Sequence, residues 1–254
     1  MPDYKAAKKF IPSIQEFNSK NQLIIIADDD YYYPKHHIET LVRYFVDLNK
    51  DSRIKKAVGT TGYRLNPDKT WGALLYSNSW FTFSDFSYHF VRGFRIRQPY
   101  RVSVVTGSGC VAFNSKWFQN TNISDFRGAP ANAPLMDDIW LNGHFTRLGV
   151  EKYVIPLQDA PIPVLKNSVI DGKLSENSVD NVGNNNENRF LANNQMISFF
   201  DTEFTREGLW FYPNGVDSPV YINYFYIGVI EPIKLYFAKL YLATLFQAFH
   251  LTQS

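Results

Sequence analysis

Four large apolar residues followed by three aspartates are the feature that most constrains this chain. The run LIIIA at 23–27 predicts a buried strand of a parallel sheet, since such strands are covered on both faces. At its end stand the carboxylates of Asp28, Asp29 and Asp30, which repel one another unless a cation or hydrogen-bond donors meet them. Ligands of open α/β sheets bind outside the carboxyl ends of the strands. We therefore predict a divalent-metal site that holds a phosphorylated ligand. The alternative is a solvated acidic turn that caps the following helix.

The direction of the three side chains follows from strand geometry. Side chains alternate along an extended strand, so Asp28 and Asp30 are predicted to face the ligand and Asp29 to face away. Carboxylate oxygens are the ligands that Mg²⁺ and Mn²⁺ prefer, and such ions commonly bridge to substrate phosphates. His36 and His37, in the first turn of the next helix, are predicted to be surface or ring-stacking residues rather than metal ligands.

Composition narrows the class of protein. The 254 residues are 45% hydrophobic and 20% charged, which suits one large α/β domain, with or without an appendage. A net charge of +2 gives no electrostatic case for nucleic-acid binding. The single cysteine, Cys110, rules out an intrachain disulfide and suits a reducing compartment. Neither a signal peptide nor an apolar stretch of about 20 residues is visible, so a cytoplasmic protein is expected.

Hydrophobic periodicity predicts alternating strands and helices up to about residue 200. The predicted helices are a short one through Ile14 and Phe17, then 35–48, 115–119, Asp137 to Gly149, and 189–200. The predicted strands are 22–27, 56–64, 101–113 with a loop inside it, and 153–155. Residues 70–90 are rich in aromatic side chains and are predicted to form short strands and loops. The Asn-rich stretches 120–136 and 166–188 are predicted loops, the second a candidate lid.

The last fifth of the chain differs in character, so we divide the chain into a domain at 1–200 and an aromatic, partly helical extension at 201–254. Apolar residues recur every three or four positions from 233 to 249, which predicts a helix. Packing on its own domain is the first explanation of its apolar face. The alternatives are a dimer contact through 231–254 or a peripheral membrane contact, with Lys234 and Lys239 at the lipid headgroups.

Asp137 and Asp138 form a second acidic motif, at the start of a predicted helix. Acidic residues favour helix N-termini because they meet the positive end of the helix dipole, which explains them in structural terms alone. The functional alternative is a general base that deprotonates an acceptor hydroxyl, with the neighbouring carboxylate raising its pKa. Trp140 is a candidate acceptor platform, although a tryptophan within a helix more often belongs to the core.

The loop Thr106-Gly107-Ser108-Gly109 is a third candidate. Two glycines let the backbone approach a ligand closely and offer its amide groups as donors. Alone, the loop is a weak signal, because many tight turns share this composition.

In their order along the chain, these motifs resemble a GT-A-fold, nucleotide-sugar-dependent glycosyltransferase of the family-2 type. Residues 28–34 (DDDYYYP) resemble its metal-binding Asp-x-Asp turn, 105–113 (VTGSGCVAF) its glycine loop and following strand, and 136–141 (MDDIWL) its Glu/Asp-Asp motif. The resemblance covers roughly residues 3–165. It implies an α/β, Rossmann-like fold, with a mixed, mainly parallel sheet flanked by helices, to which the helical C-terminal extension is added.

The resemblance also implies an activity and roles for individual residues. A sugar would move from a nucleoside diphosphate sugar to a hydroxyl acceptor on a glycan, protein or lipid, with inversion and with Mn²⁺ or Mg²⁺ as cofactor. Asp30 and Asp28 would hold the metal, and Asp138, with Asp137 beside it, would be the base. The donor would be bound by Asp28, Asp29, Lys9, Gly107, Ser108 and Gly109.

Residues 3–12 (DYKAAKKFIP) resemble a family segment DYGPATKLxP, with Lys9 matching its lysine. In such enzymes that segment follows strands that hold the nucleotide base. Those strands are therefore expected in a preceding part of the chain, on a partner, or replaced by another arrangement. A catalytically impaired protein that binds a glycan or a partner is the second hypothesis. A metal phosphohydrolase is the third, and the lack of His ligands and of a second well-spaced acidic cluster counts against it.

Overall fold

The computed structural model describes residues 3–65, 71, 90–163 and 185–202, which lie within a compact unit, Met1–Pro219. This unit is mixed α/β, and a mixed sheet is flanked by helices, which confirms the predicted class. Most of the aromatic segment 70–90, nearly all of the candidate lid and the predicted C-terminal helix with its membrane or dimer contact lie outside the described residues. The division at residue 200 therefore stays a prediction.

Ten strands occur in the described part. They are β1 (Leu23–Ile26), β2 (Tyr31–Tyr32), β3 (Lys56–Gly59), β4 (Thr61–Tyr63), β5 (Phe90–Arg92), β6 (Tyr100–Arg101), β7 (Val104–Val105), β8 (Val111–Asn114), β9 (Glu151–Val154) and β10 (Ile162–Pro163). The largest sheet has the order β1-β8-β3-β9-β6, and the two smaller sheets have the orders β5-β4-β7 and β10-β2.

Strand direction in the largest sheet brings the predicted motifs to one edge. β1 and β3 both run antiparallel to β8, with Ile26 and Gly59 each opposite Val111. The ends of β1 and β3 therefore lie at the edge where β8 begins. The acidic turn after β1 and the glycine loop before β8 meet there.

The expected predominance of parallel strands is wrong for the described part. β3 and β9 are parallel, whereas β1–β8, β3–β8 and β6–β9 are antiparallel. In β1, Ile24 and Ile26 are buried while Leu23 and Ile25 are half-buried, so the strand alternates. The apolar run of β1 predicts that both faces of the strand are covered. It does not show whether the neighbouring strand is parallel or antiparallel.

The strand predicted at 56–64 is divided at Thr60. The backbone N–H of Thr60 donates to Cys110 O at 3.1 Å. After Thr60 the chain leaves the largest sheet, and β4 pairs with β5 and β7. Gly62 is required in β4, since a Cβ there would lie 2.6 Å from Val104 O. The division turns Tyr63, near the predicted strand end, toward the site described below.

Four α-helices occur in the described residues: α1 (Ile11–Phe17), α2 (His37–Asn49), α3 (Asp137–Arg147) and α4 (Asn185–Thr202). Short 3₁₀ helices span Lys5–Lys9, Gly93–Arg95, Ser115–Phe118 and Ala133–Leu135. The first three α-helices agree with prediction, and Gly149 follows α3 with a φ of 66°. α4 begins before the predicted Arg189 because its Asn-rich first turn has no apolar periodicity. No helix of the described part is long and apolar enough to cross a membrane.

The core packs α2 against the largest sheet. Its buried cluster contains Leu41, Phe45, Val58, Cys110, Ala112 and Ile155. Ile38 and Val46, which the α2 periodicity assigns to the same face, are 41% and 53% exposed. The buried stripe of α2 is thus narrower than predicted, because only residues one helical turn apart on a single line reach the sheet.

Candidate functional site

The acidic turn after β1 positions its three carboxylates differently. The Tyr33 hydroxyl donates to Asp28 O at 2.9 Å and closes the turn on itself. Asp28 lines a pocket, Asp29 is exposed, and the Oδ1 atom of Asp30 is buried with no hydrogen-bond partner among the described residues. Asp29 and Asp30 do not line that pocket, since the strand ends at Ile26 and its side-chain alternation does not continue into the turn.

Lys9 joins the acidic turn to α3. Its ammonium donates to Asp28 Oδ1 at 2.9 Å and lies 2.5 Å from Asp137 Oδ2. Burial by itself would lower the pKa of Lys9, but the nearby carboxylates of Asp138, Asp137 and Asp28 outweigh it and raise the pKa above its ordinary value. Lys9 is therefore a fixed positive charge in the site.

Asp138 lies where the N-terminus of α3 meets the glycine loop. Its Oδ1 accepts the Gly107 N–H at 2.8 Å. Burial and the negative charge of Asp137 raise the pKa of Asp138, while Lys9 and the Gly107 hydrogen bond act in the opposite direction. A carboxyl with a raised pKa is suited to accept a proton near neutral pH.

Gly107 lies directly beneath the charged side chains of the site. A Cβ there would lie 2.8 Å from Lys9 Nζ and 3.4 Å from oxygens of both Asp28 and Asp138. Thr106 and Ser108 line the same pocket, and their hydroxyls are 3.1 Å apart. The glycine loop therefore forms the base of the pocket, where Lys9, Asp28 and Asp138 come close together.

Gly109 serves a different purpose from the one predicted. A Cβ at this position would collide with Thr60 Oγ1, so the glycine permits close contact between the loop and β3–β4. Its carbonyl lies 3.2 Å from His37 Nε2. His37 is buried and its ring lies against Tyr33, with centroids 5.1 Å apart and the two planes tilted at 49°.

Asn142 fixes α3 against β7, and sequence reasoning did not identify it. Its Nδ2 donates to Val105 O at 2.8 Å and to Asp138 O at 2.7 Å, while its Oδ1 accepts the Val105 N–H at 2.9 Å. The three hydrogen bonds therefore hold the backbone of Asp138 itself and that of Val105, the residue just before the glycine loop. The available signal was an asparagine one helical turn after Asp138, on the same face of the predicted helix.

These residues open into one pocket of about 420 Å³. Its lining includes Lys9, Asp28, Asp137, Asp138, Thr106 and Ser108, together with Tyr63, Trp71, Leu135, Met136, Ile139 and Asn193. A larger concavity beside α1, of about 490 Å³, is lined by no ionisable side chain. We assign the chemistry to the first pocket. No group of three His, Cys, Asp or Glu side chains that could hold a metal occurs in the described ranges.

Trp140, a candidate acceptor platform in the sequence, is part of the core. It is 1% exposed, and its Nε1 donates to Ile123 O at 2.8 Å. Its ring packs on Phe126 at 4.5 Å and on Phe200 at 5.4 Å. The side of α3 that carries Trp140 faces α4 rather than the pocket, so the core explanation of this tryptophan is right and the acceptor platform is wrong.

Comparisons with known proteins do not assign a function to this chain, so a functional assignment has to be based on the site itself. No protein-family model matches the chain, and no curated protein matches it in sequence. Of the predicted site residues, Lys9, Asp28, Asp137, Asp138, Gly107 and Ser108 come together. Asp29, Asp30 and Gly109 do not line the pocket. The structure adds Tyr63, Trp71 and Asn193 to the pocket lining, and it adds Asn142 as a residue that holds the backbone of Asp138.

Proposed function

We propose that this protein is a nucleotide-sugar-dependent glycosyltransferase of GT-A type, which transfers a sugar to a hydroxyl acceptor with inversion. One observation carries the proposal. Lys9, Asp28 and Asp138 come from three separate segments and meet over Gly107 in a single pocket. A fixed cation beside a carboxyl with a raised pKa suits a reaction in which an anion leaves and a hydroxyl loses its proton.

In the proposed reaction Asp138 is the general base. Its Oδ1 accepts the Gly107 N–H, which leaves the other oxygen to accept the proton of the acceptor hydroxyl. The oxygen of that hydroxyl then attacks the anomeric carbon of the donor sugar, and the bond from that carbon to the diphosphate breaks. Asp137 keeps the pKa of Asp138 raised, and Asn142 holds the backbone of Asp138 in place.

Lys9 is proposed to bind the donor diphosphate. In the described arrangement its ammonium contacts Asp28 and Asp137, and a diphosphate is a stronger competitor for the same charge because it carries more negative charge on closely spaced oxygens. Ser108 and Thr106 offer hydroxyl donors on the floor of the pocket. The positive charge opposes the negative charge that develops on the leaving group.

A divalent cation fits the acidic turn on one observation, the buried Asp30 Oδ1 that has no hydrogen-bond partner in the described part. Mg²⁺ commonly takes one or two carboxylates and completes its shell with phosphates and water. Asp30, with Asp28 in the same turn, would hold Mn²⁺ or Mg²⁺. When bound, the cation would neutralise charge on the diphosphate.

The test of this proposal measures nucleoside diphosphate release from a panel of UDP- and GDP-sugars with Mn²⁺. Asp138→Asn is expected to lose about 10²–10⁴-fold in rate, the usual contribution of a general base, while nucleotide binding by calorimetry is unchanged. Asp159→Asn, a change at an exposed aspartate, is the matched control. Release by neither wild type nor control with any donor, or full activity of Asp138→Asn, would overturn the proposal.

A second candidate is a catalytically impaired protein that binds a glycan or a partner. It is favoured by the contacts of Lys9 with both Asp28 and Asp137, which engage the ammonium that the transferase proposal assigns to the donor diphosphate. Titration with UDP and GDP separates the two functions. Metal-dependent nucleotide binding supports the transferase, and glycan binding without nucleotide binding supports the alternative.

A further inference from the structure

The pocket of Asp138 has an aromatic wall that the proposed chemistry does not use. The wall consists of Tyr63, near the end of β4, and Trp71, both half-buried and both lining the pocket. Their ring centroids are 4.5 Å apart at an interplanar angle of 43°. The Tyr63 ring also stacks on Phe90 of β5 at 4.5 Å and 29°, so a strand pair supports it from behind.

Trp71 is held in this wall by α4. Its backbone N–H donates to Asn194 Oδ1 at 2.7 Å, across more than a hundred residues of sequence. The preceding residue, Asn193, is 5% exposed and also lines the pocket. The wall is therefore fixed by two separate elements, and a buried amide group lies in the same pocket as the rings.

This combination fits a sugar ring better than a phosphate or a metal. Aromatic rings offer an apolar surface to the C–H face of a sugar, and the faces of these rings carry no positive charge that would attract an anion. Asn193 and Thr106 can exchange hydrogen bonds with hydroxyls at the rim of such a ring. Lys9 in the same pocket already contacts Asp28 and Asp137, so the carboxylates of Asp28, Asp137 and Asp138 outnumber its ammonium. They therefore oppose the entry of an anionic sugar, because like charges repel strongly where water is scarce.

We propose that the Tyr63–Trp71 wall is the acceptor subsite, and that it binds a neutral sugar by stacking, with one hydroxyl of that sugar directed at Asp138. This inference rests on the proposed function for the identity of the reaction, but the binding step stands apart from it. It also names the substrate class: the acceptor is an uncharged glycan rather than a protein side chain or a lipid alcohol.

The test measures binding of neutral methyl glycosides of glucose, galactose, mannose and N-acetylglucosamine by saturation-transfer NMR, in the absence of any donor. We expect at least one to bind, with the strongest transfer at the C–H protons of one ring face. Trp71→Ala should weaken binding about tenfold or more, and Trp71→Phe should retain most of it because a stacking ring remains. Trp117→Phe, at a half-buried tryptophan that packs on Phe45, is the matched control.

A difference between two KM values distinguishes this proposal from the proposed function. In transfer assays Trp71→Ala should raise the KM for the glycoside more than the KM for the donor, whereas Trp117→Phe should leave both near the wild-type values. Binding of no glycoside to wild type, equal binding by Trp71→Ala, or an equal rise of both KM values in that variant would each overturn the acceptor subsite. Glycoside binding that depends on Trp71, in a wild-type protein without transferase activity, would instead keep the sugar subsite and reject the transferase.

Discussion

At the scale of single residues, the site depends on how one ammonium is shared among carboxylates. Lys9 contacts Asp28 and Asp137 directly, and its charge also acts on Asp138. Asp137 acts on Asp138 in the opposite direction, so the two neighbours set the proton affinity of the proposed base between them. The adjacent acids could be recognised in the sequence as a pair. The contribution of Lys9 was visible only through a resemblance, because a lysine far away in sequence gives no local sign of its partner.

This balance predicts the pH dependence of activity. Asp138 must be ionised to accept a proton, so kcat/KM should rise with pH and level off above its raised pKa, which lies higher than the ordinary carboxyl value of about 4. Asp137→Asn removes a negative charge, which lowers the pKa and moves the acid limb to lower pH. Lys9→Met removes a positive charge and moves it to higher pH.

Profiles of kcat/KM against pH, measured for wild type, Asp137→Asn and Lys9→Met, give the midpoint of the acid limb for each protein. Shifts of opposite sign are expected even where the two variants lose activity to different extents. Midpoints that coincide with that of wild type would show that Asp138 is not the titrating base.

At the scale of elements, α3 organises the site from its first turn to its last. Asp137 and Asp138 face the pocket, Asn142 binds β7, and Gly143 packs against Phe200 of α4. Every residue from Ile139 to Thr146 is buried, so the helix is covered on all sides. The sequence predicted the start and end of α3 correctly, because the acidic first turn and Gly149 are local signals. It could not predict that α3 lies between β7 and α4, since burial on all sides leaves no amphipathic pattern.

Gly143 tests the packing of α3 on α4. Alanine normally favours a helix over glycine by about 1 kcal/mol. Here the added Cβ would overlap the ring of Phe200, which is 1% exposed and has no room to move. Gly143→Ala is therefore expected to lower the free energy of unfolding by about 1–3 kcal/mol, as overpacking of a core does.

Urea unfolding of a double-mutant cycle with Phe200→Leu measures this effect. The smaller side chain should relieve the overlap, so the two changes together should cost less than the sum of their separate effects. Additive effects, or a Gly143→Ala variant more stable than wild type, would contradict the close packing of the two helices.

At the scale of the whole molecule, the site forms because chain direction brings distant ends together. The strand at 23–26, the glycine loop and the acidic helix start were each predictable from local pattern. Their meeting at one edge depends on β8 running antiparallel to both β1 and β3, which no local pattern encodes. The same limit applies to Trp140, which lies close to Asp138 in sequence although its ring packs on α4 and does not line the pocket.

The sheet also buries a lysine behind the site, on the other side of Asn142. Lys152 of β9 is 2% exposed, and its Nζ donates to Thr146 Oγ1 at 2.7 Å; the Thr146 hydroxyl in turn donates to Asn142 O at 2.9 Å. Burial lowers the pKa of Lys152 to about 7, the charge of Arg101 acts in the same direction, and Glu151 opposes them. An unfolded lysine has a pKa of about 10.4. Between these two values the unfolded chain binds more protons than the folded protein, so stability should rise with pH.

Urea unfolding at pH values from 7 to 9 tests this on wild type and Lys152→Met. The free energy of unfolding of wild type should increase relative to the variant by up to about 1.4 kcal/mol per pH unit, and the difference should level off below pH 7, where both states of the lysine are protonated. Lys116→Met, at an exposed lysine, should give a curve parallel to wild type. If Lys152→Met also runs parallel to wild type, Lys152 is charged in the folded protein, and the network behind α3 contains an ammonium rather than an amine.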